Sequence, residues 1–144
     1  MNTVHYTIDC DSSIKPMIEK VLEHGLSELM PRIRDLDLEI EMYEFEDSEV
    51  NECGYCTRED KRHFLFEIAE NQSEESMIRT ILHELVHVRQ YVYNELKQVH
   101  SKASGLRIYW KGVDHTHTKY VDQPWEIEAY DLEETLYKHF VSNS

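Results

Sequence analysis

The stretch from Asn71 to about Leu96 constrains this chain more than any other. Met77, Ile78, Ile81, Leu82, Leu85 and Val92 recur at the spacing of one face of an α-helix. Thr80, His83, His87, Gln90 and Asn94 fall on the opposite side. Asn71 is placed to cap such a helix, with Glu74 three residues on and Glu75 beside it in the first turn. A helix with one apolar stripe is stable only when that stripe is buried against other elements.

The rest of the chain supplies them. Val4, Tyr6, Ile8 and Cys10 alternate with His5, Thr7 and Asp9, the pattern of a half-buried strand. Asp11, Ser12 and Ser13 offer an N-cap, and Pro16 suits the first turn of a helix carrying Ile14, Ile18, Val21, Leu22, Leu26 and Leu29 up to Pro31. Leu36, Leu38, Ile40 and Met42 alternate with Asp37, Glu39, Glu41 and Tyr43, which predicts a second strand with an acidic outer face. A polar loop containing Cys53-Gly54-Tyr55-Cys56 is expected next, then a third strand from His63 to Ala69. Beyond the central helix, Leu106 to Val113 reads as a short strand or hairpin, with turn signals at Gly105 and Gly112. Asp122 is expected to cap a last helix, with Pro124 near its first position, running to about Val141. This order indicates one α+β domain over residues 1–144.

Composition narrows the function classes. A chain of 144 residues with 40% hydrophobic and 10% aromatic residues is not a disordered tail. Fifteen basic against 29 acidic residues give a net charge of −14, which argues against sequence-independent nucleic-acid binding and against docking on anionic membrane. No apolar run is long enough for a transmembrane helix, and Met1 to Cys10 lacks the basic and then apolar order of a secretory signal. Three Cys are too few for a disulfide scaffold, so a reducing cytoplasm is the expected compartment. Nine His are unusual for this length, and neutral imidazole is the commonest metal ligand.

Two of those His belong to His83-Glu84-Leu85-Val86-His87. At about 100° per residue they sit one turn apart on one helix face, close enough to share a metal ion. In this HExxH arrangement two imidazoles hold Zn²⁺ and the Glu polarises its bound water. An acidic chain with nine His can produce those letters by chance. The test is whether the polar stripe faces bulk water, which would make the pair incidental, or a cleft, which would make it a metal floor.

A zinc hydrolase needs three protein ligands and one open position. Gln90 and Tyr93 stand where the Gly and His of the extended HExxHxxGxxH form would be, so the third ligand must come from Glu126, Glu128, His115 or His117. Trp125, Ala129, Leu132, Leu136 and Phe140 form the core-facing stripe of the last helix. Glu126 shares a flank of that stripe with Tyr130, Glu133 and Tyr137, whereas Glu128 lies with Asp131, Thr135 and His139 on a flank that looks solvated. A carboxylate buried beside aromatics needs a partner, and small Ala129 would let the two helices approach. Glu126 is therefore favoured and Glu128 is the fallback; His115 and His117 are expected to be loop residues.

His83 to Tyr91, Trp110-Lys111-Gly112, Tyr120 and Pro124 to Ala129 together resemble small stand-alone zinc metallopeptidases, minimal zincins of the gluzincin type found in bacteria and bacteriophages. The resemblance covers roughly Phe64 to Tyr137. It implies a small mixed sheet packed on an N-terminal helix, the HExxH helix and a C-terminal helix. It also implies a zinc peptidase in which His83, His87 and Glu126 hold the metal, since the first Glu of an ExxA signature is the family's ligand. That signature often continues with Asp; Tyr130 stands there instead, which leaves open what orients the His ligands. The family fold further implies that the strand His63 to Ala69 lines the cleft and can pair with an extended substrate.

On this reading Glu84 is the general base of peptide-bond hydrolysis, and the oxyanion donor is to be found among Tyr120, Tyr130, His115 and His117. The partner is a protein or peptide substrate, with no nucleic acid and no membrane. Between Asp35 and Glu52 stand nine acids and no basic residue, which suggests either a solvated face or a rim attracting basic peptides. Cys53 and Cys56 have the spacing of half a zinc site but no second pair, so packing or turn roles are expected. Trp110 reads as part of a packed hairpin. The alternative function is a zinc-binding, zincin-derived interaction protein that cuts nothing; a DNA-associated protease of the SprT-like kind is disfavoured by the acidic balance.

Overall fold

Leu38 and Ile40 alternate with acids, and in the structure they form the inner face of a central strand. The structure is a computed structural model describing residues 4–44 and 54–143. Its elements are β1 (Val4–Asp9), α1 (Lys15–Leu29), β2 (Leu36–Tyr43), β3 (Gly54–Asp60), β4 (His63–Ala69), α2 (Glu74–Val92), β5 (Leu96–Ser101), β6 (Gly105–Trp110), β7 (Val113–Asp114) and α3 (Pro124–Ser142), with a 3₁₀ turn at Tyr120–Asp122. Among the described residues the fold is α+β, with three α-helices and two sheets.

The larger sheet has the order β1-β2-β4-β3. β1 and β2 run parallel, as do β2 and β4, and β3 lies antiparallel to β4. The register sets Leu38 beside Phe64 and Ile40 beside Phe66. These four side chains, with Ile18 and Leu22 of α1 and Ile81, Leu82 and Leu85 of α2, belong to one buried core cluster. Burying a side chain of this size contributes about 1.5–3 kcal/mol, so this layer accounts for much of the fold's stability. Asp37, Glu39 and Glu41 point to the sheet's other face, as the alternation predicts.

Six local expectations are corrected. The segment read as a polar loop contains β3. Its inward positions are Cys56 and Arg58 rather than strong apolar residues, so its alternation is weak, and pairing with β4 makes it a strand. Next, β4 is hydrogen-bonded on both edges, by β2 and β3, and cannot accept an extended substrate; β1 and β3 are the edge strands, and of these β3 borders the cleft. The cap of α2 is Ser73, whose side chain accepts the Ser76 N–H, and not Asn71. That helix ends at Val92 because Asn94 takes a left-handed φ of 58°, and Leu96 opens β5. The last two concern other helix starts. Asp11 accepts the Ser13 N–H in the turn before α1, which begins only after Ile14, and Gln123 rather than Asp122 precedes α3.

The segment after α2 is a three-stranded sheet, β5-β6-β7, with Gly105 and Gly112 at positive φ as the turn signals require. Trp110 is 9% exposed and its ring lies 6.5 Å from that of Trp125, so the hairpin is packed onto α3. No helix among the described residues is long and apolar enough to cross a membrane.

Candidate metal centre

The polar stripe of α2 is not in bulk water. His83, Glu84, His87 and Gln90 are all buried, Gln90 completely. α3 packs along α2, and β3 closes the other side, leaving an open cleft of about 500 Å³ whose floor carries His83, Glu84 and His87. Gly54 lets the wall come close: a Cβ there would lie 2.6 Å from Thr80 Cγ2 on α2.

Ser73, Glu74 and Glu75 begin α2, and its apolar stripe anchors it, so the two imidazoles are held one turn apart with ring centroids 5.0 Å from each other. Pro124 starts α3, which sets Glu126 opposite them. Glu126 Oε1 lies 2.9 Å from His83 Nε2, and Oε2 lies 3.2 Å from His87 Nε2. Ligands at tetrahedral zinc distances are about 3.3 Å apart, close to these separations. Glu84 also offers a carboxylate oxygen within 4.8 Å of ligand atoms of both His.

The outer nitrogens define the rings' state. His83 Nδ1 donates to Glu133 Oε1 at 3.0 Å, and His87 Nδ1 donates to Gln90 Oε1 at 2.8 Å. The Gln90 amide is itself oriented, because its Nε2 donates to the Trp125 carbonyl and to Glu128. A neutral ring with its proton on Nδ1 presents a bare lone pair at Nε2. The two Nε2 atoms converge on the Glu126 carboxylate, so either protons on the rings or a cation between the three groups must satisfy them. Burial disfavours a charged His83, but the bonds to Glu126 and Glu133 outweigh it and hold the ring at about 9. His87 is raised in the same way against its burial. Burial pushes the Glu126 carboxyl up, yet the two imidazoles pull it down to about 2. The site is built to keep a carboxylate ionised beside positive charge.

The other sequence-predicted residues separate cleanly. Glu128 accepts from Gln90 and does not border the cleft. Neither does His115, whose Nδ1 is paired with Thr118 Oγ1 and whose ring meets Trp125 edge-on, nor exposed His117. Tyr120 and Tyr130 both reach the cleft; their hydroxyls are 3.0 Å apart, and the Tyr120 hydroxyl lies 3.5 Å from Glu126 Oε1. The Tyr130 ring lies against His83, with centroids 4.5 Å apart. Cys56 lies on β3 rather than in a turn and borders the cleft, where burial and then Glu84 hold its thiol well above the usual range. Cys53 lies outside the described residues. Of the acidic run, Asp35, Asp37, Glu39, Glu41 and Glu44 do not border the cleft, because β2 is an interior strand; Glu46, Asp47, Glu49 and Glu52 lie outside the described residues.

Sequence reasoning assigned no role to Glu133, Gln90 or Arg79. The available signal was spacing: Glu133 follows Glu126 by two helical turns, and Gln90 follows His87 by three residues. Arg79 donates to Glu134 at 2.6 Å and to Glu75 at 3.2 Å, and lies 3.7 Å from the second oxygen of Glu133. No protein-family model, curated protein or solved structure matches this chain.

Proposed function

We propose that the chain is a zinc-dependent peptidase with a minimal zincin-like architecture. The observation that carries this reading is the convergence of the two Nε2 atoms on the Glu126 carboxylate, with both Nδ1 atoms already paired to oxygen. His83, His87 and Glu126 fit Zn²⁺ by donor type and by spacing. When bound there, the ion supplies Lewis acidity, bringing the pKa of bound water to about 7 and polarising a carbonyl.

The chain's own residues do the rest. Glu84 accepts the water's proton on its carboxylate and returns it to the leaving amine. Glu133 and Gln90 keep the two rings turned with Nε2 into the cleft. The Tyr120 and Tyr130 hydroxyls are placed to donate to charge developing on the scissile oxygen. β3 offers a hydrogen-bonding edge on the cleft wall that no other described strand occupies, suited to an extended peptide.

The test is zinc content and peptide hydrolysis of the wild type beside Glu126→Ala and Glu128→Ala. Stoichiometric zinc in the wild type and in Glu128→Ala, lost in Glu126→Ala together with hydrolysis, is the expected result. A wild type that binds no zinc, and folds identically with and without it, overturns the reading.

A further inference from the structure

We propose that the chain binds a nucleoside phosphate in a second pocket, which shares no lining residue with the metal cleft. Three separate connections build it. The loop between α1 and β2 contributes Arg32, Arg34 and Asp35, the turn between β3 and β4 contributes Arg62, and the end of α2 contributes Val92 and Tyr93. The pocket has a volume of about 470 Å³, within the range of small-molecule sites.

Three guanidiniums and one carboxylate line it, so this pocket is positive in a chain whose net charge is −14. Among the described residues, carboxylates form ion pairs with Arg79, Arg107, Lys111 and Lys138, and with none of Arg32, Arg34, Arg62 or Arg89. Arg62 is held instead by donating to the Arg34 carbonyl at 3.3 Å, which ties the two loops together. The Arg89 guanidinium lies 5.5 Å from the centre of the Tyr93 ring, and its buried Nε has no hydrogen-bond partner among the described residues. The C-terminus of α2 offsets little of this positive charge, because three of its last four carbonyls accept N–H groups from Tyr93, Asn94 and Glu95.

A phosphate group offers the dense negative charge and the several oxygens that guanidinium forks hold bidentately. The half-exposed Tyr93 ring, with Ile33 and Val92 in the same lining, supplies a surface on which a base can stack. Acidic side chains elsewhere are screened beyond about 8 Å at physiological ionic strength, so the net charge of the chain does not prevent binding here.

Calorimetric titration of the wild type with ADP, adenosine and inorganic phosphate, at about 0.15 M salt, tests this. ADP should bind about fivefold or more tightly than phosphate alone, and adenosine more weakly than ADP. Arg34→Ala and Arg62→Ala should each weaken ADP about tenfold. Arg62→Lys should recover only part of that loss, because it keeps the charge without the fork. Tyr93→Ala should bring ADP down towards the affinity of phosphate. Arg107→Ala, which removes a guanidinium paired with Asp114 instead, should change nothing. Thermal unfolding of each variant separates lost contacts from a lost fold, and Arg32→Ala, at an exposed position, stands in for any variant that fails to fold. No binding of ADP, ADP and phosphate bound alike, or binding indifferent to the arginine substitutions overturns the inference. So does a single-stranded oligonucleotide that binds these arginines more tightly than ADP, because the ligand is then a nucleic acid. None of these readouts depends on zinc or on hydrolysis, so the peptidase reading stands or falls separately.

Discussion

Glu133 Oε1 accepts the Nδ1 proton of His83 at 3.0 Å, across the interface between the last helix and the HExxH helix. The carboxylate that orients this ring therefore lies two turns beyond Glu126, while Tyr130, one turn beyond, packs its tilted ring against the imidazole instead. Arg79 holds the second oxygen of Glu133 from the side, so the orienting group is itself restrained.

Removing that orienting group should weaken the metal site without removing a ligand. Glu133→Ala is expected to lower zinc affinity by about 10–100-fold, with Glu133→Gln intermediate because its amide oxygen can still accept from Nδ1. Competition with a chelator of known affinity measures this; unchanged affinity in both variants would show that His83 is held by packing alone.

Glu84 is expected to act on the proton and not on the metal. Glu84→Gln should keep stoichiometric zinc and lose about 10²–10⁴ of the hydrolysis rate. Metal analysis beside steady-state kinetics separates the two effects, and hydrolysis at the wild-type rate in this variant removes Glu84 from the role of base.

Metal removal should cost stability as well as activity. With free zinc at a hundredfold excess over its dissociation constant, the folded state gains about 2.7 kcal/mol by mass action. Adding a chelator should lower the melting temperature of the wild type, whereas Glu126→Ala should melt at one temperature with and without it.

The cleft wall depends on a missing side chain. Gly54→Ala places a Cβ 2.6 Å from Thr80 Cγ2, 2.9 Å from Ile68 Cδ1 and 3.1 Å from the Glu67 carbonyl oxygen. Overpacking of this kind costs about 1–3 kcal/mol. Denaturant unfolding should show that loss, and peptide affinity should fall with it as β3 moves off α2; a variant of unchanged stability would show that the wall yields freely.

Much of the molecule was legible because it repeats. The stripe of Ile78, Ile81, Leu82 and Leu85 defined the central helix, and Leu36, Leu38 and Ile40 defined the strand beneath it, since a helix face and a strand face each bury residues at a fixed period. β3 was not legible: with Cys56 and Arg58 inward, its own side chains carry little of the burial, and its strand state comes from backbone pairing with β4. The same lack of local signal hid β5, where Leu96 is buried but the next four residues are exposed.

The amino-acid order by itself determined that His83 and His87 share a helix face beside Glu84, because the geometry of one helix needs no partner. It also placed Glu126 on the inward flank of the last helix. Only the tertiary structure decided that the polar stripe faces a cleft, that Glu126 rather than Glu128 meets both imidazoles, and that Glu133 and Gln90 orient them. Apart from the His87–Gln90 contact, three residues along one helix, those relations join residues 35 to 50 positions apart or depend on which strand lies at the sheet edge. Local periodicity states which way a side chain points along its own element; what it meets there is set by how separate elements pack.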